Sequence, residues 1–205
     1  MKISVLLPYK ENFSPDYPGA VSIFVHSTNK ESKFKKDITV YGSTKFKKKL
    51  SSNYVNISLA KGLLRSQSKE YVNKFLFLQK KRKPDIIEVH NRPIYIDDLK
   101  KLNTKIVLYF HNDPITMIGS KTVSNRLNLL ESCSKIIFNS EWSKKQFLKE
   151  LKLFYHKSKK LEVIHQSVNK QNVDLNKKEN LITFVGKLNS AKGYDIFGNA
   201  ITKIL

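Results

Sequence analysis

The sequence predicts an α/β fold built on a Rossmann-like, doubly wound parallel sheet, and three observations support this prediction. Short β-branched segments alternate with longer amphipathic segments along the 205 residues. The candidate strands are apolar on both faces, as in a parallel sheet that helices cover on two sides. With 40% hydrophobic and 11% aromatic residues, the chain can bury a real core. We therefore expect one complete domain and part of a second.

Seven candidate strands precede residue 166, at 2–7, 38–41, 54–59, 85–90, 105–110, 135–139 and 161–165. Helical periodicity between them places three sets of residues on common faces, namely Tyr71, Phe75 and Leu78, then Val123, Leu127 and Leu130, then Phe147 and Leu151. Ser140 is expected to cap a helix that starts at Glu141, because a carboxylate favours the first turn of a helix. Asp97 and Asp98 are expected to begin another helix.

Residues 166–180 are polar, contain Asn and Lys, and show no apolar periodicity, which is typical of an interdomain linker. Residues 181–185 then read Leu-Ile-Thr-Phe-Val and predict a new strand, and Phe197, Ile201 and Ile204 share one face of a predicted helix. One strand and one helix cannot close a core. We expect residues 1–165 to form the first domain and residues 181–205 to begin a second domain that this chain does not complete.

The charge balance is strongly basic, with 38 Lys and Arg against 17 Asp and Glu and a formal net charge of +21. Such a charge suits nucleic acid, anionic lipid headgroups or phosphorylated substrates. The Lys-rich runs 33–36, 45–49 and 80–83 lie beside turn-like or helix-end positions, so a solvated surface without a specific partner is the alternative. Most aromatic residues fall at core spacings and do not interleave with Lys, which argues against a nucleic-acid-binding protein.

Cys133 is the single cysteine, which excludes an intramolecular disulfide, and its place in a helical stretch is typical of a small core residue. The apolar run at 3–7 is too short for a signal-peptide core. No apolar stretch reaches the length that spans a bilayer. We therefore expect a cytoplasmic protein, at most peripheral to the inner face of a membrane.

Ligands bind beyond the carboxyl ends of the strands in open parallel sheets, and two neighbouring candidate strands run there into His-Asn. The tripeptides at these ends are His90-Asn91-Arg92 and His111-Asn112-Asp113. We expect both imidazoles to lie over one crevice, where they can hydrogen-bond sugar hydroxyls and a developing charge. A structural role for each histidine is the alternative. No third His, Cys or carboxylate stands at a suitable spacing, so we expect no metal site.

Two glycine-containing segments could hold an anion. Gly19 precedes a predicted helix and would let backbone amides approach an anion, although an ordinary strand-to-helix turn is the alternative. Gly186 and Lys187 end the predicted strand of the second domain, and Lys192 stands just before its helix. Two ammonium groups and free helix amides around one point would hold a diphosphate and stabilise it as a leaving group. The spacing fits neither a Walker loop nor Gly-x-Gly-x-x-Gly.

Residues 184–194 resemble the phosphate-binding start of the donor domain in GT-B glycosyltransferases of the large retaining family 4, which shows a hydrophobic strand, Gly-Arg or Gly-Lys, Leu, a short loop and Lys-Gly. Residues 135–142, Lys-Ile-Ile-Phe-Asn-Ser-Glu-Trp, resemble the strand and Ser-Glu-type turn late in the acceptor domain of that family. Residues 163–169 stand where the family has Val-Ile-Pro-Asn-Gly-Val-Asp, with His-Gln-Ser at 165–167. The resemblance extends over nearly the whole chain.

The resemblance implies that residues 1–165 are the acceptor-side domain and that residues 181–205 begin the donor-binding domain. It implies retaining transfer of a sugar from a nucleotide-diphosphate sugar to a glycan or lipid-linked acceptor, without a metal or another cofactor, in cell-envelope polysaccharide synthesis. The basic face would then lie near anionic lipid. A remnant without turnover, or a sugar-binding fragment, is the alternative. With one strand of the donor sheet, this chain is expected not to catalyse transfer by itself.

By the same resemblance, the donor diphosphate would contact Gly186, Lys187 and Lys192, and Gly19 would pack against it from the acceptor domain. His111 would touch the transferred sugar and is the candidate catalytic residue. The remaining candidates line the acceptor-side crevice, and they are His90, Asn91, Arg92, Asn112, Asp113 and Glu141.

Overall fold

The computed structural model describes residues 1–59, 66–151, 159–168, 181–186, 188 and 190–204. The chain divides into two compact units, Met1–Ser167 and Val168–Leu205. The strands of the first unit are β1 (Ile3–Leu6), β2 (Ile38–Gly42), β3 (Tyr54–Asn56), β4 (Ile86–His90), β5 (Lys105–Phe110), β6 (Lys135–Phe138) and β7 (Leu161–Val163). Its helices are α1 (Ala20–Glu31), α2 (Gln67–Arg82), α3 (Ile96–Leu99), α4 (Val123–Ser132) and α5 (Glu141–Leu148), and the second unit has α6 (Tyr194–Ile201).

The seven strands form one parallel sheet in the order β3-β2-β1-β4-β5-β6-β7. This is the doubly wound, Rossmann-like arrangement that the alternating pattern predicts, so the predicted fold class is confirmed. Strand β1 pairs on one side with β2 and on the other with β4, and Ile3 is in register with both Ile38 and Ile86. The strand order therefore reverses between β1 and β4, which is where such sheets open a crevice at their carboxyl edge.

Each face of the sheet carries its own apolar core. On one face, α1 packs Val21 and Val25 against Ile3, Val5 and their neighbours. On the opposite face, buried side chains of α2, α3, α4 and α5 share one large cluster with the strands. The rings of Phe110, Phe138 and Phe147 meet there, with centroids 5.3 to 5.8 Å apart. The apolar side chains on both faces of the sheet are thus covered by helices.

The predicted helix faces are correct in part. Tyr71, Phe75 and Phe147 are fully buried, and Leu78 and Leu151 pack against the core at partial burial. The prediction for α4 is wrong at Leu127, whose side chain is 37% exposed.

The side chain that takes the inward position on α4 is Arg126, which is 2% exposed. Its two terminal guanidinium nitrogens donate to the carbonyl oxygens of Ser120, Lys121 and Lys149, and these bonds offset part of the cost of burying the charge. Among the described residues, the buried Nε has no hydrogen-bond partner. Leu129 and Leu130 accompany it in the core. An arginine that bonds backbone carbonyls therefore sets the orientation of this helix, which apolar periodicity does not reveal.

Several local predictions are confirmed. The Ser140 hydroxyl accepts a hydrogen bond from the Ser143 amide at 3.2 Å and caps α5. Asp97 and Asp98 lie in the first turn of α3 and pair with Lys100 and Lys101. Cys133 is buried, and burial raises the pKa of its thiol to about 12. It is therefore a core residue with no thiolate character at neutral pH.

In the second unit, residues 181–186 form no strand, so the predicted strand is wrong for the chain as it stands. Predicted strands need a neighbour to pair with, and the described residues of this unit provide none. The predicted helix is present as α6, which begins after Gly193 at φ +71° and ends at Ile201, so the predicted inclusion of Ile204 is wrong. Phe197 contacts Phe184 with ring centroids 5.3 Å apart. Across the described parts of both units, no helix combines the length and apolar character that a membrane span needs.

Tyr71 joins α2 to the carboxyl ends of β1 and β2, and loss of its hydroxyl should lower the stability of the fold. The buried hydroxyl donates towards the carbonyl oxygens of Leu7 and Tyr41, at 3.0 and 3.3 Å, and burial raises its pKa well above 10. Tyr71→Phe should lower the free energy of unfolding by about 1 to 3 kcal/mol, because the buried Leu7 carbonyl loses this donor, whereas the Tyr41 carbonyl still accepts from the Leu7 amide. Urea unfolding checks this, with exposed Tyr17→Phe as the control. Equal stability of both variants would contradict the assignment.

Candidate functional site at the carboxyl edge of strands 4 and 5

The candidate site is built on the pairing of β4 with β5, which places His90 in register with Tyr109. Side chains two residues apart on a strand share a face, so Glu88 and His90 point to one side of β4. Tyr109 and His111 extend the same face at the end of β5. Phe24 of α1 covers this group, with ring centroids 5.1 Å from both Tyr109 and His111 and 6.2 Å from His90.

Four side chains form one hydrogen-bonded row, which we call the histidine row: Glu88, His90, His111 and Gln166. Glu88 Oε1 lies 2.6 Å from His90 Nε2. His90 Nδ1 lies 2.8 Å from His111 Nε2, and His111 Nδ1 lies 2.9 Å from the Gln166 amide nitrogen. Both nitrogens of both imidazoles therefore have a partner.

Tyr109 supports the histidine row from the side. Its ring stacks on His111 with centroids 4.5 Å apart and an interplanar angle of 15°. Its hydroxyl donates to the carbonyl oxygen of Ile164 at 2.8 Å, which holds the chain just after β7 against this strand. Burial, with a smaller contribution from the Glu88 charge, raises the pKa of Tyr109 to about 12. The phenol is therefore a neutral donor under physiological conditions.

His111 is neutral for a related reason. Burial, followed in size by the charge that His90 can carry, lowers the pKa of His111 from 6.5 to about 3. An imidazole in this state offers one donor and one acceptor and carries no charge. It can orient a hydroxyl group but does not neutralise a phosphate.

Asparagines fix the backbone that carries His111. The His111 amide donates to Asn91 Oδ1 at 3.0 Å, and Asn139 Nδ2 donates to the His111 carbonyl oxygen at 2.9 Å. Asn91 also donates from Nδ2 to Asn112 Oδ1 at 3.0 Å. The backbone of Asn91 is left-handed, with φ +54°, a conformation that asparagine tolerates better than most residues. The side chain of Asn91, in the turn after β4, thus holds the turn after β5 through the His111 amide and the Asn112 side chain.

The structure brings together only part of the predicted crevice. His90 was expected to hang over it, but its side chain is fully buried beneath His111 and bonded at both ring nitrogens. Asn91 is also buried, whereas Asn112 is exposed. His90 and Asn91 therefore support the site, and His111 is the imidazole nearer to its opening.

The other predicted acceptor-side residues have separate local contacts. Arg92 is half-buried, and its guanidinium donates to the Asn91 carbonyl oxygen at 2.8 Å. Asp113 accepts from the Ile115 amide at 3.2 Å and caps the turn that follows β5. Glu141 is exposed in the first turn of α5.

Gly19 stands at the start of α1, and an acidic side chain already occupies that helix end. Glu11 Oε1 accepts from the Ser22 amide at 3.1 Å, in the place where the free amides of a helix attract an anion. A Cβ atom at Gly19 would lie 1.9 Å from the same oxygen. A side chain at residue 19 would therefore displace the Glu11 carboxylate from this helix end.

Two of the predicted phosphate residues, Gly186 and Lys192, belong to the second unit. Gly186 and Lys192 are exposed, and Lys192 ends the short 3-10 turn that leads through Gly193 into α6. Lys187 lies outside the described residues. Lys192 thus lies two residues before α6, and its contact with a phosphate stays a prediction.

Sequence reasoning missed Glu88, Gln166 and Glu11. Alternation along β4 could have found Glu88, since a residue two positions from His90 faces the same side. No such pattern reveals Gln166 or Glu11, because both residues lie outside the regular strands and helices.

The first unit also has a groove away from the histidine row. An open groove of about 570 Å³ lies between the end of β3 and α2, lined by Asn56, Ser58, Lys74, Phe77 and others, at the far edge of the sheet from His111. Among the described residues, no three His, Cys, Asp or Glu side chains gather as a group that could hold a metal ion.

The contact between Gly19 and Glu11 can be tested by a double-mutant cycle. Gly19→Ala should displace the Glu11 carboxylate and cost about 1 kcal/mol of stability, the size of a lost helix cap. In a Glu11→Ala background, Gly19→Ala should cost much less, because the backbone of residue 19 suits alanine and the obstructing oxygen is gone. Gly198→Ala, which meets no atom within 4 Å, is the control. Additive costs in the cycle would contradict this contact.

The lowered pKa of His111 predicts how stability depends on pH. Between the unfolded pKa of 6.5 and the folded pKa of about 3, the unfolded chain binds the proton that folded His111 does not. Stability from this residue is therefore present above 6.5 and is lost as the pH falls towards 3. His111→Gln should flatten this part of the curve, measured by urea unfolding at about pH 7 and about pH 4.5. Exposed His165→Gln is the control, and an unchanged slope in His111→Gln would refute the assignment.

The sequence matches no protein-family profile and no curated protein. Solved structures share its fold: Anabaena Alr3699/HepE in complex with UDP-glucose aligns with a TM-score of 0.55 at 13% identity over 82% of this chain. The same protein in complex with UDP aligns with a TM-score of 0.54 at 14% identity, again over 82% of this chain. This chain covers 45% of the HepE chain in each case, which is less than half of its length. At this identity the likeness establishes a shared Rossmann-like fold.

Proposed function

We propose that this chain is the acceptor-side part, with the beginning of the donor side, of a GT-B glycosyltransferase that uses a nucleotide-diphosphate sugar. The observation that carries the proposal is the position of His111 at the carboxyl edge of β5, beside the reversal of strand order between β1 and β4. Ligands of open parallel sheets bind at this edge. The proposal draws further support from the fold shared with HepE, a protein whose structures hold UDP-glucose and UDP.

In this proposal, neutral His111 hydrogen-bonds a hydroxyl of the transferred sugar and holds its reacting carbon in position. The charge of the leaving diphosphate falls to Lys187 and Lys192 in the second unit, together with the start of α6. Gly186 and, from the first unit, Gly19 let backbone approach the diphosphate. With lysines and helix amides meeting that charge, the reaction needs no metal ion, and no other cofactor takes part.

The resemblance to family 4 adds three parts to this proposal. The anomeric configuration of the sugar is retained, the acceptor is a glycan or a lipid-linked molecule, and the reaction belongs to cell-envelope polysaccharide synthesis. Acceptor choice would depend on the turns after β4 and β5, which carry Arg92, Asn112 and Asp113. Loops on a rigid sheet are the usual carriers of such specificity.

The proposal predicts that His111 discriminates a sugar nucleotide from a bare nucleotide. His111→Ala should weaken UDP-glucose binding to this chain roughly fivefold, the size of one hydrogen bond of about 1 kcal/mol, and should leave UDP binding unchanged. Calorimetry with both ligands measures this, and the same comparison can be repeated with other nucleotide sugars. In a chain that carries a complete donor domain, the variant should lower turnover far more than melting temperature.

A variant that loses UDP and UDP-glucose equally, or that fails to fold, would support a packing role for His111 instead. Exposed His165→Ala provides the control, because it removes an imidazole from the same unit. Release of UDP from UDP-glucose by this chain alone, at roughly 1 per second or more, would contradict the expectation that the donor side needs further residues.

We propose contact with anionic lipid at the amino edge of the sheet, away from His111. Arg82 donates to the Asp37 carbonyl oxygen at 3.1 Å and thereby joins the turn before β2 to the end of α2. Exposed basic residues surround this joint, together with Phe34, whose ring lies 5.1 Å from Lys33 Nζ: they are Lys33, Lys35, Lys36, Lys80, Lys81 and Lys83. An aromatic ring among lysines suits the boundary between headgroups and water.

Vesicle co-sedimentation tests the lipid contact. Binding to vesicles that contain phosphatidylglycerol should fall sharply when Lys80 and Lys81 are both changed to Glu, since each cation near an anionic surface contributes about 1 kcal/mol. The charge-matched control changes exposed Lys47 and Lys48 to Glu, in the loop after β2. Equal loss in both variants would show a general charge effect, and tighter binding to random oligonucleotides than to vesicles would favour nucleic acid.

A further inference from the structure

We propose that Glu88, acting through His90, fixes the proton of His111 on Nε2, so that Nδ1 faces the site as a hydrogen-bond acceptor and Gln166 occupies the place of a ligand hydroxyl. Glu88 and His90 are positioning residues in this proposal. The part that concerns the ligand rests on the proposed function, whereas the part that concerns the proton does not.

The proton positions follow from the histidine row, taken from its charged end. Glu88 offers oxygen acceptors, so His90 Nε2, 2.6 Å away, carries the proton of that bond. A neutral His90 then has a lone pair on Nδ1, which lies 2.8 Å from His111 Nε2. His111 must donate there, and its proton is on Nε2. The remaining nitrogen, His111 Nδ1, is an acceptor.

The far end of the row agrees with this assignment. The nitrogen of the Gln166 amide, which can only donate, lies 2.9 Å from His111 Nδ1. The reverse arrangement would need a second proton on His90 and a proton on His111 Nδ1, which would then face another donor. The His111 ring is also neutral, because burial lowers its pKa to about 3.

Gln166 differs from the other members of the row because it is exposed and lies on the chain that leaves β7. Its position depends on Ile164, two residues earlier, whose carbonyl oxygen accepts from the Tyr109 hydroxyl. A ligand can displace this amide without breaking the core, whereas it cannot displace His90 or Glu88. The group that replaces Gln166 has to donate a hydrogen bond to Nδ1, as a sugar hydroxyl does and a phosphate oxygen does not.

The proton assignment can be read directly from long-range ¹H–¹⁵N spectra of the imidazole rings in the full chain. The wild type should show a protonated Nε2 and an unprotonated Nδ1 at His111. Glu88→Leu should move a large share of the proton to Nδ1, because His90 loses the acceptor that orients it. Glu88→Gln should retain the wild-type pattern, because its amide oxygen can still accept from His90. Glu162→Leu removes an exposed carboxylate from β7 and is the control.

A proton on His111 Nδ1 in the wild type would overturn the proposal, and so would an unchanged His111 spectrum in Glu88→Leu. A Glu88→Gln spectrum that matches Glu88→Leu would likewise overturn the acceptor role of residue 88. Melting curves show whether each variant is folded at the temperature of the spectra.

The ligand part has its own test, with UDP-glucose and UDP as probes. Gln166→Ala frees Nδ1 and should tighten UDP-glucose binding about two- to tenfold while leaving UDP binding unchanged. Weaker UDP-glucose binding in Gln166→Ala would overturn the idea that Gln166 holds the place of a hydroxyl. If neither probe binds any form of the chain, the proposed function fails, while the spectra still decide the position of the proton.

Discussion

Burying two imidazoles and a phenol under α1 costs free energy unless each polar atom finds a partner, and the edge of the sheet at β4 and β5 is arranged around that requirement. Glu88 hydrogen-bonds His90 Nε2 at one end of the histidine row, and Gln166 hydrogen-bonds His111 Nδ1 at the other. Between them, His90 and His111 are bonded to each other. Tyr109 finds its acceptor on the chain after β7. One polar row therefore ties together β4, β5 and the segment that follows β7.

The same requirement makes the geometry rigid where a ligand would bind. A half-satisfied polar network would be worse than an apolar core, so its members cannot turn independently of one another. Asn91 and Asn139 hold the backbone on both sides of His111, by its amide and by its carbonyl oxygen. An imidazole held by its backbone, by ring stacking and by both nitrogens is pre-organised to orient a substrate group.

The sequence alone was sufficient for the sheet but not for every helix face or for the site. Strands buried on both faces show continuous apolar runs, and helices between them show a different period, so the fold class follows from local patterns. The face of α4 does not, because Arg126 is buried through bonds to two carbonyl oxygens in the turn before the helix and to one at Lys149, beyond α5. The strand predicted at residues 181–185 depends equally on something non-local, namely a neighbouring strand.

Within the site, strand ends were predictable and partners were not. The position of His111 follows from where β5 ends, but the burial of His90 follows from its bonds to Glu88 and His111. Tertiary contacts of this kind have no period in the sequence. Glu11 is a shorter-range case, because its carboxylate reaches the start of α1 from within the loop that precedes the helix.

Glu11 and Gln166 also have a common consequence for the proposed function. Each is a group of the chain itself that satisfies a position suited to a ligand: a carboxylate at the amides of α1, and an amide donor at His111 Nδ1. A ligand that replaces both has to bring an anion and a hydroxyl at once, as a nucleotide-diphosphate sugar does. A bare phosphate or a free sugar would replace only one of them and would gain little over the contact it breaks. In the proposed function, the combined ligand therefore has to break the Glu11 contact with α1 and the Gln166 contact with His111 before it binds.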